Sequence, residues 1–486
     1  MSQMTRRTLL FTTAFLALHG LSLISFFVEP LRPVFFFILL GAAAVFAFWK
    51  PHYTAIPIIL ELLLDSSGHL FEWRGLSLRL LTLTVVLVAW LYHAIRARQL
   101  FSKLKTPFTA FYLIILAIVA LAAYNGYQNG HATKSIIADA IPFLYLALWY
   151  PLQSLRAKRS NPDEIASSPS APRNDIVIAL ILASFLGAAI LSLITLFLFS
   201  SGLQEIHGPF YTWWRDWVAG KATSTGFGFF RIVTPLHLFL TALVPYVAYV
   251  ILRPKAEGSH RMGFFAGLRM TTARWLLLTT ILLVPVLNFS RIYFLAVIPA
   301  TLVMAWKLPW KKVALTLILI GAISLAEYTV INLAVSRGTS FGFEFITKQS
   351  RGIIDPESEA SASARAAILP HLIDKIKNQP FVGEGIGATA TYYNPFLEKE
   401  LTTPHLDWGY LELAVEFGII AALFFLAVLL WLLWRSRGSA LGASVIVFLF
   451  VTTLTAPALF HVYGIALILV ILLVNRPLAL DRTSAA

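Results

Sequence analysis

Apolar runs of roughly 15–25 residues recur along almost the whole chain. A helix of that length crosses the ~30 Å hydrocarbon core of a bilayer. The runs are continuously apolar and lack the alternation of apolar and polar positions that marks a lipid-facing barrel strand. The pattern therefore predicts an all-α polytopic membrane protein with about 12–14 transmembrane helices.

The predicted spans divide the chain into three parts. Transmembrane helices occupy 1–335, a large non-membrane loop follows at 336–407, and C-terminal transmembrane helices with a short tail occupy 408–486. The third span is short for a full crossing, which favours a re-entrant or tilted segment. The spans are placed at about 9–27, 34–49, 53–65, 76–95, 107–124, 136–152, 176–200, 232–252, 274–289, 292–306, 313–335, 408–434, 439–456 and 460–474.

Composition supports the membrane assignment and excludes several kinds of chemistry. The chain is 58% hydrophobic and 13% charged, with mean hydropathy +0.76, whereas a soluble domain carries about 25% charged residues. A net charge of +14 would suggest nucleic acid in a soluble protein, but here the basic residues lie in short connections between spans, so no nucleic-acid partner is predicted. The absence of Cys excludes disulfides, thiolate nucleophiles and Cys-ligated metals.

Charge in alternate connections predicts the orientation. Basic residues concentrate on one side, which should be the cytoplasmic side of a bacterial inner membrane, together with both termini. The opposite connections at 201–231 and 336–407 are then periplasmic. The basic residues are Arg6, Arg7, Arg96, Arg98, Lys103, Lys105, Arg156, Lys158, Arg159, Arg253, Lys255, Arg261, Arg269, Lys307, Lys311, Lys312, Arg435 and Arg437.

Three non-membrane segments have a recognisable character. The predicted cytoplasmic loop 156–175 is polar and rich in Pro and Ser, which is typical of a flexible linker. The aromatic loop 201–231 is predicted to lie at the membrane interface. Within the large loop, Ala360 to Ile376 has helical spacing, although Pro370 should kink or end that helix.

Three arginines on the predicted external side are candidates for anion binding. Arg231, Arg291 and Arg365 carry forked guanidinium donors that match phosphate oxygens, although an arginine at a span boundary also serves as a snorkelling anchor. The Gly-rich turn after the Arg365 helix either brings backbone N–H groups toward an anion or is simply a loop.

Acidic residues and one histidine mark the start of the last long span. His405 beside Asp407 suits proton abstraction from a hydroxyl, or alternatively ordinary hydrogen bonding at an interface. Glu412 and Glu416 follow at helical spacing in or near the membrane, where ionisable groups are functional or paired with a buried arginine.

Residues 224–475 resemble the O-antigen ligase and polymerase superfamily of membrane glycosyltransferases. The resemblance rests on the Ser290–Arg291 hairpin, the Arg365 helix leading to PFVGEGIG, and a His-containing motif that runs into YLELAVEFGII. It implies a GT-C-like fold and a metal-independent inverting transfer from an undecaprenyl-diphosphate-linked glycan, with no cofactor. It further implies that His405 is the general base and that Arg291 and Arg365 bind the diphosphate, with Arg231 as an additional candidate.

The motif departs from the family at the proposed base. Family members often have two His separated by one residue and followed by Asn, whereas here the series reads His405, then Asp407 and Trp408. The base is therefore either His405 or Asp407.

The expected function is ligation of O-antigen to lipid A core in lipopolysaccharide biosynthesis. Alternatives are extension of a growing glycan by an O-antigen or exopolysaccharide polymerase, and protein O-glycosylation. Other classes are a lipid-linked oligosaccharide transporter and a non-catalytic scaffold of polysaccharide assembly. The candidate charges cluster at one membrane face rather than along the spans. This favours a reaction at the membrane surface, between a donor and an acceptor that are both embedded in membrane lipid.

Overall fold

The protein is represented by a computed structural model. It describes residues 3–49, 51, 53–66, 68–153, 172–226, 228–252, 272–347, 355, 359–394, 397–404 and 406–474. Most of the predicted linker 156–175, the basic connection 253–271, the C-terminal tail and His405 lie outside the described residues.

Helices make up most of the described chain, and the strands are few and short. The helices are α1 (Gln3–Phe27), α2 (Leu31–Trp49), α3 (Ile56–Leu62), α4 (Leu78–Arg96), α5 (Leu100–Leu104), α6 (Pro107–Gln128), α7 (Thr133–Leu144), α8 (Trp149–Gln153), α9 (Pro172–Ser200), α10 (Pro209–Asp216), α11 (Leu236–Leu252), α12 (Thr272–Asn288), α13 (Arg291–Leu302), α14 (Trp310–Val335), α15 (Ala360–Asn378), α16 (Gly409–Ser436), α17 (Ala440–Thr452) and α18 (Val462–Val474), with 3₁₀ turns at Tyr145–Leu148 and Val303–Trp306. Three antiparallel hairpins pair β1 (Glu72–Trp73) with β2 (Leu76–Ser77), β3 (Lys221–Gly226) with β4 (Phe229–Val233), and β5 (Ala390–Asn394) with β6 (Lys399–Thr403).

Eight apolar helical segments in the described part are long enough to cross a membrane, and five shorter apolar helices accompany them. Together they fall within the predicted range of 12–14, and the all-α polytopic fold is confirmed. The third predicted span corresponds to α3, which has 7 residues and is therefore about 10 Å long, too short for a crossing. The eight are Thr5–Phe27, Leu31–Trp49, Leu78–Arg96, Pro107–Gln128, Thr133–Gln153, Ile178–Ser200, Trp310–Val335 and Gly409–Ser436.

The chain forms two compact units. The first comprises Met1–Leu100, Leu148–Ser290 and Pro309–Phe341, and in it α1 packs on α9 and α12 packs on α11 and α14. The second comprises Phe101–Ala147, Arg291–Leu308 and Gly342–Ala486.

The short helix within the aromatic loop of the first unit packs into protein. Helix α10 buries the side chains of Phe210, Tyr211, Trp213 and Trp214. The indole of Trp213 donates a 3.1 Å hydrogen bond to the hydroxyl of Ser22 in α1. The aromatic residues lie on one face of a short amphipathic helix, and this face has protein to pack against.

In the second unit a helix, a hairpin and a span share one core. Helix α15 packs on β5 and α16, while α17 packs on α13, α16 and α18. The shared core consists of Ile368, Leu372, Ala388, Ala390, Tyr392, Leu406 and Val415.

Helix α15 was predicted from the sequence, but it does not end at Pro370. Proline removes one backbone hydrogen bond to the carbonyl four residues earlier, here that of Ala366. Both Ala366 and Pro370 are exposed, so water can satisfy that carbonyl. The helix therefore continues to Asn378.

Candidate functional site

The site is built from an ion pair that links the start of a span to the start of helix α15. Arg291 is the first residue of α13, and its Nη2 donates to Oε2 of Glu359 at 2.6 Å. Glu359 is the N-cap of α15, where its carboxylate also accepts from the N–H groups of Ser361 and Ala362 at 3.2 and 3.0 Å. One carboxylate thus fixes both the arginine and the helix end.

The environment of Glu359 favours its charged form. Burial by itself would raise the pKa of this carboxyl, but the hydrogen bond and positive charge of Arg291, together with the two N–H groups of the helix end, hold the pKa below its ordinary value. The sequence analysis missed Glu359. Glutamate is not among the residues usually found at a helix N-cap, and nothing in the sequence identifies its arginine partner.

Arg365 lies in the second turn of the helix that Glu359 caps. The distance from Glu359 to Arg365 along the axis is about 9 Å. The Nε of Arg365 is buried and donates to no acceptor among the described residues. A buried donor without a partner is costly, and a ligand oxygen would satisfy it.

Asp407 is held beside the Arg365 helix by its two neighbours. The side chain of Leu406 is fully buried in the shared core, and the indole of Trp408 donates a 3.1 Å hydrogen bond to the backbone carbonyl of Arg365. Asp407 itself is half-buried and has a φ of 57°, a left-handed backbone that non-Gly residues rarely adopt. Helix α15 therefore carries Arg365, is linked to Arg291 through its N-cap, and is linked to the neighbour of Asp407 through the Trp408 hydrogen bond.

Glu412 and Glu416 hold backbone near the site instead of pairing with a buried arginine. The carboxyl group of Glu412 lies near the N–H of Leu406, and that of Glu416 lies near the N–H groups of Gly387 and Ala388. Neither has an ion-pair partner in the described part of the chain. The second oxygen of Glu412 is buried without a hydrogen bond to any described residue.

The Gly-rich turn at 383–387 packs against neighbouring helices, and its N–H groups bind protein acceptors rather than an anion. Helix α16 breaks at Gly418, where φ is 79° and ψ is 164°. The break leaves carbonyls of Val415 and Glu416 open, and these accept from Glu384 and Gly385 at 2.7 and 3.1 Å. In an apolar setting such groups need protein partners.

Two further N–H groups of the turn are also used by protein. Ile386 donates to the carbonyl of Ala122 at 3.2 Å, and Gly387 donates to Asp139 at 3.0 Å. A Cβ at Gly385, where φ is 95°, would collide with the backbone of Gly126. Glycine is therefore required here by close packing against α6.

An apolar cavity of about 440 Å³ lies between spans of the same unit. It is lined by α6, α7, α16 and α18, with Phe108, Phe111, Phe143, Phe424 and Phe460 among its walls. The size and apolar lining match those of ligand pockets that bind hydrocarbon groups.

Two predicted site residues are not part of this arrangement. His405 lies outside the described residues. Arg231 belongs to the first unit, in β4, where its Nε donates a 2.7 Å hydrogen bond to the carbonyl of Asn288. The role of each stays a prediction from the sequence.

These features define a multi-pass α-helical membrane protein with guanidinium and carboxylate groups where its spans meet a large non-membrane segment. Residues 276–426 match the family described as O-antigen ligase (Wzy_C), which confirms the resemblance to the O-antigen ligase and polymerase superfamily over that segment. The matched segment contains Arg291, Glu359, Arg365 and Asp407, and it supports a membrane glycosyltransferase of ligase or polymerase type. No curated protein and no solved structure matches the chain.

Proposed function

We propose that this protein transfers a glycan from an undecaprenyl-diphosphate carrier to an acceptor hydroxyl at the periplasmic face of a bacterial inner membrane. The proposed reaction is ligation of O-antigen to lipid A core. The observations that support the proposal lie inside the segment that matches the O-antigen ligase family: the Arg291–Glu359 ion pair at the start of α15, and the hydrogen bond from Trp408, next to Asp407, to the carbonyl of Arg365 on the same helix.

In the proposed mechanism Arg291 and Arg365 bind the donor diphosphate. As the bond between the anomeric carbon and the diphosphate oxygen breaks, negative charge grows on the leaving group, and fixed guanidiniums stabilise that charge. The unpartnered Nε of Arg365 supplies one donor for this role. Because the cationic side chains provide the charge compensation, the mechanism needs no metal.

We assign the acceptor side of the reaction to Asp407. Its carboxylate takes the proton of the acceptor hydroxyl while the oxygen attacks the anomeric carbon from the face opposite the diphosphate, so the configuration inverts. The anchoring of Leu406 and Trp408 supports this assignment, because a base must be held in place to act. His405 is the alternative base that the family resemblance implies.

The apolar cavity of the second unit supports a lipid-linked donor. A polyprenyl chain is pure hydrocarbon, and the cavity walls are almost entirely aliphatic and aromatic. The lining on α16 begins at Phe424, about 22 Å along the helix from Gly409, so the cavity would hold part of the chain away from the diphosphate.

The proposal is tested by transfer assays on the purified protein with lipid-linked donor and lipid A core acceptor. Asp407→Asn should reduce transfer by about 100-fold or more, because general-base catalysis contributes roughly that much. Asp374→Asn is the matched control, since Asp374 is 69% exposed on α15 and pairs only with Lys377 among the described residues. Full activity of Asp407→Asn together with loss of activity in His405→Ala would identify His405, and not Asp407, as the general base.

A deletion strain separates the candidate reactions. Core-only lipopolysaccharide with accumulated lipid-linked polymer indicates a ligase, whereas core with a single repeat indicates a polymerase. A transporter would instead move the lipid-linked donor across reconstituted vesicles without acceptor, and the Arg291→Ala, Arg365→Ala and Asp407→Asn variants of a scaffold would all restore wild-type glycan.

A further inference from the structure

A polar pocket lies at the far end of the spans that begin at the candidate site. Helix α13 begins at Arg291 and ends in the 3₁₀ turn Val303–Trp306, while α16 begins at Gly409 and ends at Ser436. The short connections that follow these two ends carry Lys307 and Arg437. The pocket is therefore at the membrane boundary opposite to the Arg291 end of α13.

Four side chains form this pocket, and none of them is acidic. The cavity has a volume of about 450 Å³ and is lined by Trp306, Lys307, Trp434 and Arg437. Ligand pockets have volumes of roughly 300–1,000 Å³. Two cations beside two indole rings form the kind of surface that attracts a phosphate in an amphipathic molecule.

The two cations of the pocket have no carboxylate partner among the described residues, whereas Arg291 of the candidate site is paired with Glu359. Among the described residues, neither Lys307 nor Arg437 forms an ion pair, and Arg437 only stacks its guanidinium 4.9 Å from the ring centroid of Trp434. At the other end, Arg291 is paired with Glu359, and Lys375 with Glu384 at 2.6 Å. The positive potential of the pocket is thus not cancelled within the described structure.

Exposed apolar stripes lead from the membrane interior to the pocket. The stripe on α13 ends at Trp306, and that on α16 ends at Trp434. Both stripes repeat at helical spacing, so each forms one continuous face along which an acyl chain can lie. The exposed residues are Leu295, Ile298, Leu302 and Trp306 on one stripe and Leu423, Leu430 and Trp434 on the other.

We propose that this pocket binds the phosphate headgroup of an anionic membrane phospholipid, with its acyl chains on the two stripes. Lys307 and Arg437 contact the phosphate, and the indoles of Trp306 and Trp434 lie at the level of the glycerol. The stripes favour a lipid over a soluble phosphate compound, because a soluble ligand would gain nothing from apolar helix faces. The site is independent of the proposed glycosyl transfer.

The test is native mass spectrometry of the full-length protein in detergent, titrated with phosphatidylglycerol or phosphatidylcholine. The wild-type protein should retain phosphatidylglycerol preferentially. The Lys307→Gln/Arg437→Gln variant should bind phosphatidylglycerol at least about tenfold more weakly, since each basic residue adds appreciably to the attraction for an anionic headgroup. Equal binding of the two lipids by the wild-type protein would overturn the proposal.

A charge-matched control is Arg98→Gln/Lys105→Gln, which removes two exposed cations from another connection. Its binding of phosphatidylglycerol should equal that of the wild-type protein. An equal loss of binding in both variants would show that net charge determines binding, and it would refute the proposed site. Displacement of phosphatidylglycerol by millimolar inorganic phosphate would refute the lipid as ligand. Arg437→Lys keeps the charge and should retain binding, which separates headgroup recognition from misfolding.

Discussion

Two Arg–Glu ion pairs, one in each unit, lie in different environments. In the first unit, Arg79 and Glu61 are joined at 2.5 Å, and their side chains are only 3% and 6% exposed. Arg79 also donates to the backbone carbonyl of Ser66. In the second unit, Arg291 and Glu359 are joined at 2.6 Å with side chains 23% and 13% exposed.

The contrast distinguishes a structural pair from one suited to a ligand. Protein surrounds the Arg79–Glu61 pair, so its charges interact with each other, with the nearby backbone and with neighbouring groups such as Asp65. The Arg291 guanidinium remains accessible from solvent while its carboxylate partner fixes it to a helix end. Removing a charge from the first pair should therefore affect stability, and removing one from the second should affect catalysis.

The largest effect is expected at the buried pair. Arg79→Ala leaves the Glu61 carboxylate buried without its partner, and breaking such a pair costs about 3–5 kcal/mol. The variant should express poorly and lose most of its thermal stability in detergent, measured by fluorescence-detected size-exclusion chromatography after heating. The double variant Arg79→Leu/Glu61→Leu should recover much of that stability, because neither member of the pair is then left buried alone. Stability equal to wild type in Arg79→Ala would refute the comparison.

The next effect is expected at the guanidiniums of the candidate site. Arg291→Ala and Arg365→Ala should each lower transfer by roughly 100- to 1,000-fold, the usual loss on removing one donor that stabilises transition-state charge. Their unfolding temperatures should stay close to that of the wild-type protein. Lys377→Ala removes a 70% exposed cation from the same helix and should keep full activity. Wild-type transfer in both arginine variants would argue against the proposed diphosphate site.

The smallest effect is expected at Glu359, the positioning residue. Glu359→Ser retains a side chain that can cap α15 but loses the ion pair with Arg291. We expect kcat to fall about tenfold with little change in stability, because Arg291 keeps its charge but loses the carboxylate that holds it in place. A tenfold fall corresponds to a barrier raised by about 1.4 kcal/mol. The measurement is a full kcat and KM determination beside thermal unfolding.

Glu359→Ala provides the control for the cap. It removes both functions and should also destabilise the protein by about 1 kcal/mol. The lowered pKa keeps Glu359 ionised throughout the neutral range, so its contribution is lost only as the pH falls through that lowered value. The effect of Glu359→Ser should accordingly be equal at pH 6 and pH 8, and kinetics identical to wild type would contradict the positioning role.

The sequence predicted those parts of the fold that depend on local pattern. The spans and the start of the helix at Ala360 follow from hydropathy and helical spacing, and the candidate arginines follow from residue type. The burial of Trp213 and Trp214 could not be predicted in this way, because tryptophan suits a lipid interface and a protein core equally well, and only the surrounding helices decide between them.

Local pattern was also insufficient for the Gly-rich turn. Three glycines in five residues are compatible with an anion-binding loop, and no sequence feature reveals that a break at Gly418 provides carbonyls for their N–H groups. These contacts form only when the turn meets α16, the next helix in the chain, together with α6 and α7, which lie more than 200 residues earlier.

By itself the sequence determined a membrane-spanning helical protein and its supply of candidate cations and carboxylates, because transfer of apolar side chains into lipid depends on composition and periodicity alone. Only the tertiary structure decided the partners: Glu359 for Arg291, the Arg365 carbonyl for Trp408, and the α16 backbone for the glycine turn. Those contacts join residues far apart in sequence, and their energies depend on distance and burial, which exist only once the chain has folded.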